Sequence, residues 1–327
     1  MPLSLQRRHV VLAAAASSLS LALPALAQDG YPSKLIKLVV PVPPGASTDA
    51  IARHLAQRLA TKLNQTVIVE NRAGGAGGNV GAESVALAEA DGYTLLFAAA
   101  GPLAINKALY PKLGYDPTRW SRISLVATID NAMVVRPDAP FKTVAELIAY
   151  AKANPGKLNY ASGGSGTTAH LGGELFKAMS GTFITHVPYR GSAAALTGFM
   201  QGQIDLMFVE LAAASQHIQA GRLRLLAMGT QQRSIAQPNV PTVAETLPGF
   251  FVTVWFGLVA PPNTPPAVVA RLSSAVTEVM KSPDMVSTLQ GLSINPVGSS
   301  PQEFQRFTEE ELQRWGKVIR DAKIAVD

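Results

Sequence analysis

Apolar runs of five or six residues alternate with segments of helical period along most of this chain. Ile36-Lys37-Leu38-Val39-Val40-Pro41 reads as a strand that Pro43-Pro44-Gly45 breaks. Ile51, Leu55, Leu59 and Leu63 then recur on one face of a helix predicted over 48–63. Strands are predicted over 67–70 and 93–99, with a helix over 79–88 between them. A strand over 158–161 precedes a helix over 169–179. Three helix starts carry capping chemistry: Thr143-Val144-Ala145-Glu146, Thr242-Val243-Ala244-Glu245 and Ser300-Pro301-Gln302-Glu303. The last opens a helix predicted to run to Lys323, with Phe304, Phe307, Leu312, Trp315 and Ile319 facing inward. Strand–helix alternation of this kind predicts an α/β fold with largely parallel sheets.

The N-terminus breaks that pattern. Arg7 and Arg8 precede an uncharged run from Val10 to Leu26, which closes on Ala25-Leu26-Ala27. This is the layout of a cleavable signal peptide over 1–27, with the mature chain starting near Gln28, and it predicts export. Arg7-Arg8 leaves both the general secretory and the twin-arginine route open. Removing the signal takes two Arg and no acid, so the net charge of +6 falls to about +4. Basic residues are dispersed, with no run of five, which argues against nucleic acid. The chain has no Cys, so disulfides, thiolate chemistry and a lipid-bearing Cys after the signal are all excluded.

Two loops are built from small residues, and each joins a strand to a helix start: Pro43-Pro44-Gly45-Ala46-Ser47-Thr48-Asp49 and Ser162-Gly163-Gly164-Ser165-Gly166-Thr167-Thr168. Backbone N–H groups at a helix N-terminus, glycines that admit close approach and Ser/Thr hydroxyls together make an anion site. Each loop is also compatible with an ordinary capped connection. Gly164 to Ala169 matches the G-x-G-x-x-A fingerprint of dinucleotide sites, but Val187-Pro188-Tyr189-Arg190 brings no acid where the ribose would need one. The Gly74 to Gly81 stretch fits neither that fingerprint nor a P-loop. No G-x-S-x-G elbow occurs, and the five His show no metal-ligand spacing. His170 reads as a helix-start cap and His186 as a core or hinge residue. No cofactor and no catalytic group is expected.

An ordered set of segments carries a family resemblance. It includes Val39-Val40-Pro41-Val42-Pro43-Pro44-Gly45, Ser47-Thr48-Asp49, Val69-Glu70-Asn71-Arg72, Asp91-Gly92-Tyr93-Thr94-Leu95-Leu96, Asn159-Tyr160-Ala161-Ser162, His186-Val187-Pro188-Tyr189 and Trp255-Phe256-Gly257-Leu258. The chain resembles the extracytoplasmic solute receptors of the tripartite tricarboxylate transporter system, the Bug-type receptors. The resemblance implies a type II-like periplasmic binding protein with two α/β lobes flanking a ligand cleft. Lobe 1 would comprise 28–128 plus 250–327, and lobe 2 would be 129–249.

A small carboxylate (a di- or tricarboxylate, amino acid or aromatic acid) would be held in that cleft without chemistry. A monomeric receptor would deliver it to membrane transporter subunits. The alternatives are an exported enzyme using the Gly164–Ala169 loop, or a ligand sensor for a membrane kinase. Carried over by position, the ligand-binding residues are Gly45, Ala46, Ser47, Thr48, Asp49, Ala100, Gly101, Ser162, Ser165, Gly166, Thr167 and Glu210. Asp49 is expected to fix its loop rather than face the anion. Ala46 replaces a usual Gly, and its methyl would crowd the site if that position needed positive φ. Glu210 stands where the family commonly has Asn. It either faces the cleft, or points to solvent or caps the next helix.

Overall fold

The computed structural model describes residues 30–324 except 75, 190, 235 and 236. The predicted signal segment, its Arg pair and the Gln28 junction lie outside the described residues. The chain divides into Met1–Ser33 and Lys34–Asp327, and every element below belongs to the second unit.

The elements follow the alternation in the sequence. β1 (Ile36–Val40) leads to α1 (Ser47–Leu63), then β2 (Val67–Asn71), α2 (Asn79–Ala86) and β3 (Thr94–Ala99). A turn of π-helix at Gly101–Ile105 and the short α3 (Asn106–Leu109) precede β4 (Ser121–Val135), which is long and almost wholly buried. Next come α4 (Val144–Ala153), β5 (Asn159–Ser162), α5 (Thr168–Ser180), β6 (Thr185–Pro188), α6 (Ser192–Met200), β7 (Leu206–Glu210), α7 (Leu211–Gln219) and β8 (Arg224–Met228). β9 (Thr253–Ala260), α8 (Pro266–Lys281), α9 (Pro283–Gly291), β10 (Asn295–Pro296) and α10 (Pro301–Asp321) complete the chain.

The strands pair in the order β2-β1-β3-β9-β4-β7-β5-β6, with β8 and β10 also on β4. β4 changes partner along its length. Ser121 to Asp130 pairs with β9, whereas Asn131 to Val135 pairs with β7. β8 flanks that same second half. One strand therefore belongs to two half-sheets, one built on β1–β3 and β9, the other on β5–β8.

The expectation of largely parallel sheets is corrected here. β1 pairs parallel with β2 and β3, and β5 with β6 and β7. Every pairing of β4, and that of β3 with β9, is antiparallel. The strand–helix–strand crossovers make the outer strands parallel. β9 runs against β1–β3 on one side and β4 on the other, and β4 in turn runs against β7 and β8.

Capping explains where helices start, with two adjustments. Ser300 and Glu303 form a full capping box, and Pro301 opens α10. Thr143 accepts from Glu146 N–H, but the Glu146 carboxylate takes the Lys142 N–H instead of returning to Thr143. The Thr242–Glu245 box is complete, yet it heads only a single 3-10 turn at Val243–Glu245. α10 buries Phe304, Trp315 and Ile319 against the sheet, with Phe307 and Leu312 at the margin. The buried Glu311 carboxylate ties this helix to β9. It accepts the indole N–H groups of Trp255 at 2.7 Å and Trp315 at 2.8 Å, and pairs with Arg314. Val252, Phe208 and Phe250 continue the core under the second half-sheet. A separate cluster around Ala132, Phe199 and Met207 packs α6 and α7 on its other face. Among the described residues no helix is long and apolar enough to cross a membrane.

Candidate functional site

Both small-residue loops open onto one cavity of about 570 Å³. Its polar wall comes from helix starts. α1 contributes Ser47 and Thr48, α5 contributes Thr168 and Ala169, and α6 contributes Ser192. Its apolar wall comes from strands, with Met207 to Val209 of β7 and Val254 and Phe256 of β9. The spacing of Val254 and Phe256 puts both on one face of β9, while Trp255 turns into the core.

The first loop is shaped by its prolines and one carboxylate. Pro43 and Pro44 end β1, and Gly45 turns the chain with φ +90°, a conformation that glycine takes without a Cβ penalty. Asp49 then holds the loop from within α1. Its carboxylate accepts the Gly45 N–H at 3.0 Å, Arg53 Nε at 3.0 Å and Asn71 Nδ2 at 2.8 Å. Burial alone would raise its pKa, but these bonds and the Arg53 charge outweigh it and bring it to about 2. Asp49 is therefore an ionised anchor beneath the loop, outside the cavity lining. Ala46 caps α1 at φ −72° with no side-chain cap bond. The crowding expected at a positive-φ position does not arise, because the backbone there is extended and suits an alanine. The first N–H groups of α1 are left without a side-chain partner.

The second loop is braced from below by stacked rings. Ser162 Oγ lies 2.7 Å from His186 Nε2 and donates to Gly164 O at 3.1 Å. His170 Nδ1 accepts the Gly166 N–H at 3.0 Å. The two imidazoles stack with centroids 4.0 Å apart, and Tyr160 stacks on His186 at 4.8 Å. Burial lowers both histidines, and the His170 neighbour adds to the effect on His186, which falls to about 4. At neutral pH both rings are uncharged, and His170 acts as an acceptor that pins the loop. Thr167 caps α5 by accepting the His170 N–H.

Glu210 is the one ionisable side chain lining the cavity among the described residues; no Lys or Arg lines it. It precedes α7 but makes no side-chain cap bond, so of the two expectations the cleft-facing one describes it. Burial pushes its carboxyl above the ordinary glutamate value, and a hydrogen bond with Ser47 pulls partly back. Ser47 starts α1 and Glu210 ends β7, so this contact spans the cavity from one half-sheet to the other. Asn131 of β4 lies directly opposite Glu210 in the strand pairing and also lines the cavity. It is 3% exposed, and its amide Nδ2 has no hydrogen-bond partner among the described residues.

Of the residues singled out in the sequence, Gly45, Ala46, Ser47, Thr48, Ala100, Gly101, Gly166, Thr167 and Glu210 come together around the cavity. Ser162 is buried beneath it, and Ser165 is exposed and off the lining. The sequence reading missed Asn131, Ser192, Phe256 and Gly77–Gly78, which also line it. Ser192 follows a glycine at a helix start and had a readable signal. Asn131, inside a long strand, had none.

Two half-sheets joined through β4, with helix N-termini facing a cavity that no Lys or Arg lines among the described residues, have the architecture of a solute-binding protein of the periplasmic type. The description "Tripartite tricarboxylate transporter family receptor" matches residues 51–324, and the chain belongs to that family. Protein BugT of Bordetella pertussis is 36% identical over 296 residues, covering 90% of each chain. A solved structure of an R. palustris protein with adipate is 38% identical with a TM-score of 0.76, covering 90% of this chain and 99% of that one. MatC from Rhodopseudomonas palustris with bound malate is 31% identical with a TM-score of 0.72, covering 88% and 100%.

Proposed function

We propose that this chain is an exported periplasmic receptor that binds a small carboxylate and hands it to the membrane subunits of a tripartite tricarboxylate-type transporter. The observation that carries the reading is the cavity itself, walled by uncapped helix starts from both half-sheets. Their free N–H groups and the hydroxyls of Thr48 and Ser192 supply donors for a carboxylate in a cavity that no Lys or Arg lines among the described residues. Hydrogen bonds to a charged group contribute about 1.5–3 kcal/mol each, so five or six suffice for micromolar binding after ordering costs. The adipate and malate bound by two solved relatives fit the same class of ligand.

In this reading the lobes are 28–128 plus 250–327 and 129–249, and the boundary falls close to the partner change of β4 between Asp130 and Asn131. Ligand contacts from both sides favour a closed arrangement. The receptor acts as a monomer and binds without turnover. The mature chain starts near Gln28 and, having no Cys, carries no lipid anchor.

A thermal-shift screen over mono-, di- and tricarboxylates, aromatic acids and amino acids tests the reading. A ligand at 100 times its Kd stabilises by about 2.7 kcal/mol. A flat response across the whole set would remove the carboxylate-receptor assignment.

A further inference from the structure

We propose that Glu210 and Asn131 select a ligand with a hydrogen-bond-donating group, so that the receptor takes a monoanionic acid bearing an ammonium, amide or hydroxyl pole in preference to a dianion. This deepens the carboxylate-receptor reading and depends on it.

The argument begins with charge. A ligand carboxylate has helix starts and hydroxyls to meet it on the α1, α5 and α6 side of the cavity. At the end of β7 the wall instead presents a carboxyl group, with no Lys or Arg among the described lining residues to balance it. A second ligand carboxylate placed there meets a like charge, which is the repulsive element that specificity requires. Burial pushes the Glu210 carboxyl upward because the Ser47 hydrogen bond compensates its charge only in part. A ligand donor would supply that compensation.

Geometry then gives the complement. Asn131 and Glu210 are register partners on adjacent antiparallel strands, so their side chains stand side by side on one face. Both line the cavity. The Asn131 amide is buried with Nδ2 unpaired, a state that costs free energy unless something in the cavity pairs with it. One side chain offers a donor and the other an acceptor. Their joint complement is a polar group that both accepts and donates. An amide or a hydroxyl does so by itself, and an amino acid does so through neighbouring carboxylate and ammonium groups. A bare carboxylate satisfies Asn131 but not Glu210.

The test uses the mature chain and isothermal titration calorimetry at neutral pH. The probes are dicarboxylates of three to six carbons, their monoamides, and the amino acids and hydroxy acids of equal length. A donor-bearing probe is expected to bind at least about tenfold more tightly than the dianion of the same length. Glu210→Gln, which keeps size and removes charge, is expected to erase that preference by improving dianion binding. Glu210→Asp, which keeps the charge, is expected to preserve its direction. Dianions that bind the wild-type chain as tightly as their amide, amino and hydroxy counterparts overturn the inference while leaving the receptor reading standing. A preference unchanged in Glu210→Gln also overturns it. If no probe of any kind binds, the receptor reading falls and takes this inference with it.

Discussion

Replacing Asp49 by Asn tests whether a buried charge, rather than shape, holds the first binding loop. Asn keeps the size of the side chain but cannot serve as an ionised acceptor for the Gly45 N–H, Arg53 and Asn71 at once. The pKa of Asp49 falls from 3.8 to about 2. At 1.36 kcal/mol per pH unit this corresponds to roughly 2.5 kcal/mol of folding free energy at neutral pH. Arg53 is half exposed, solvent screens its part of the interaction, and a loss of about 1.5 kcal/mol is expected. The folded-state pKa is depressed, so the contribution is fully present above pH 3.8 and disappears as pH falls through about 2. Urea unfolding of both proteins at neutral pH and at steps down through pH 3 measures the difference. The gap should be widest at neutral pH and should shrink below pH 4. A gap that is absent at neutral pH, or that persists unchanged into acid, would refute the electrostatic account. Ligand affinity should fall in the same variant, because the Gly45 turn loses its restraint.

Two further outcomes follow from buried polar groups away from the cavity floor. Glu311→Ala strands the indole N–H groups of Trp255 and Trp315 and removes the carboxylate partner of Arg314, so chemical denaturation should show a loss of about 3–5 kcal/mol. Glu311→Gln should recover part of it. The His170–His186 stack predicts acid sensitivity near the second loop. The folded protein holds His186 neutral down to about pH 4, whereas the unfolded chain takes a proton near 6.5. Stability from this group is therefore lost as pH falls from 6.5 to about 4 and levels off below. His186 is partly exposed, which limits the loss to about 1–2 kcal/mol. Stability measured across that window should be flatter in His186→Gln than in the wild-type chain, and equal slopes would show that the imidazole is not responsible.

Local chemistry was legible from the residues alone, because it is written within a few positions. Pro43-Pro44 ends β1, Ser300-Pro301 with Glu303 starts α10, and both small-residue loops precede helix starts as their composition requires. The strand–helix alternation and the α1 and α5 parts of the polar wall followed from such signals, while the family came from the resemblance of an ordered set of segments. Strand direction did not, since hydrophobic alternation is the same whichever way a neighbour runs. Only the packed sheet showed that β4 and β9 each run against every strand they pair with. The same limit applied to Asn131 and Phe256, which become cavity residues through pairing with segments distant in sequence. Ser162 and Ser165 lie within one loop, yet the fold buries the first against His186 and turns the second outward. Glu210 is the sharpest case. Its sequence neighbours allowed a helix cap, a solvent-facing acid or a cleft residue. The choice came from strand register, which sets Glu210 beside Asn131 and across from Ser47, and a register is a property of two segments that neither segment specifies by itself.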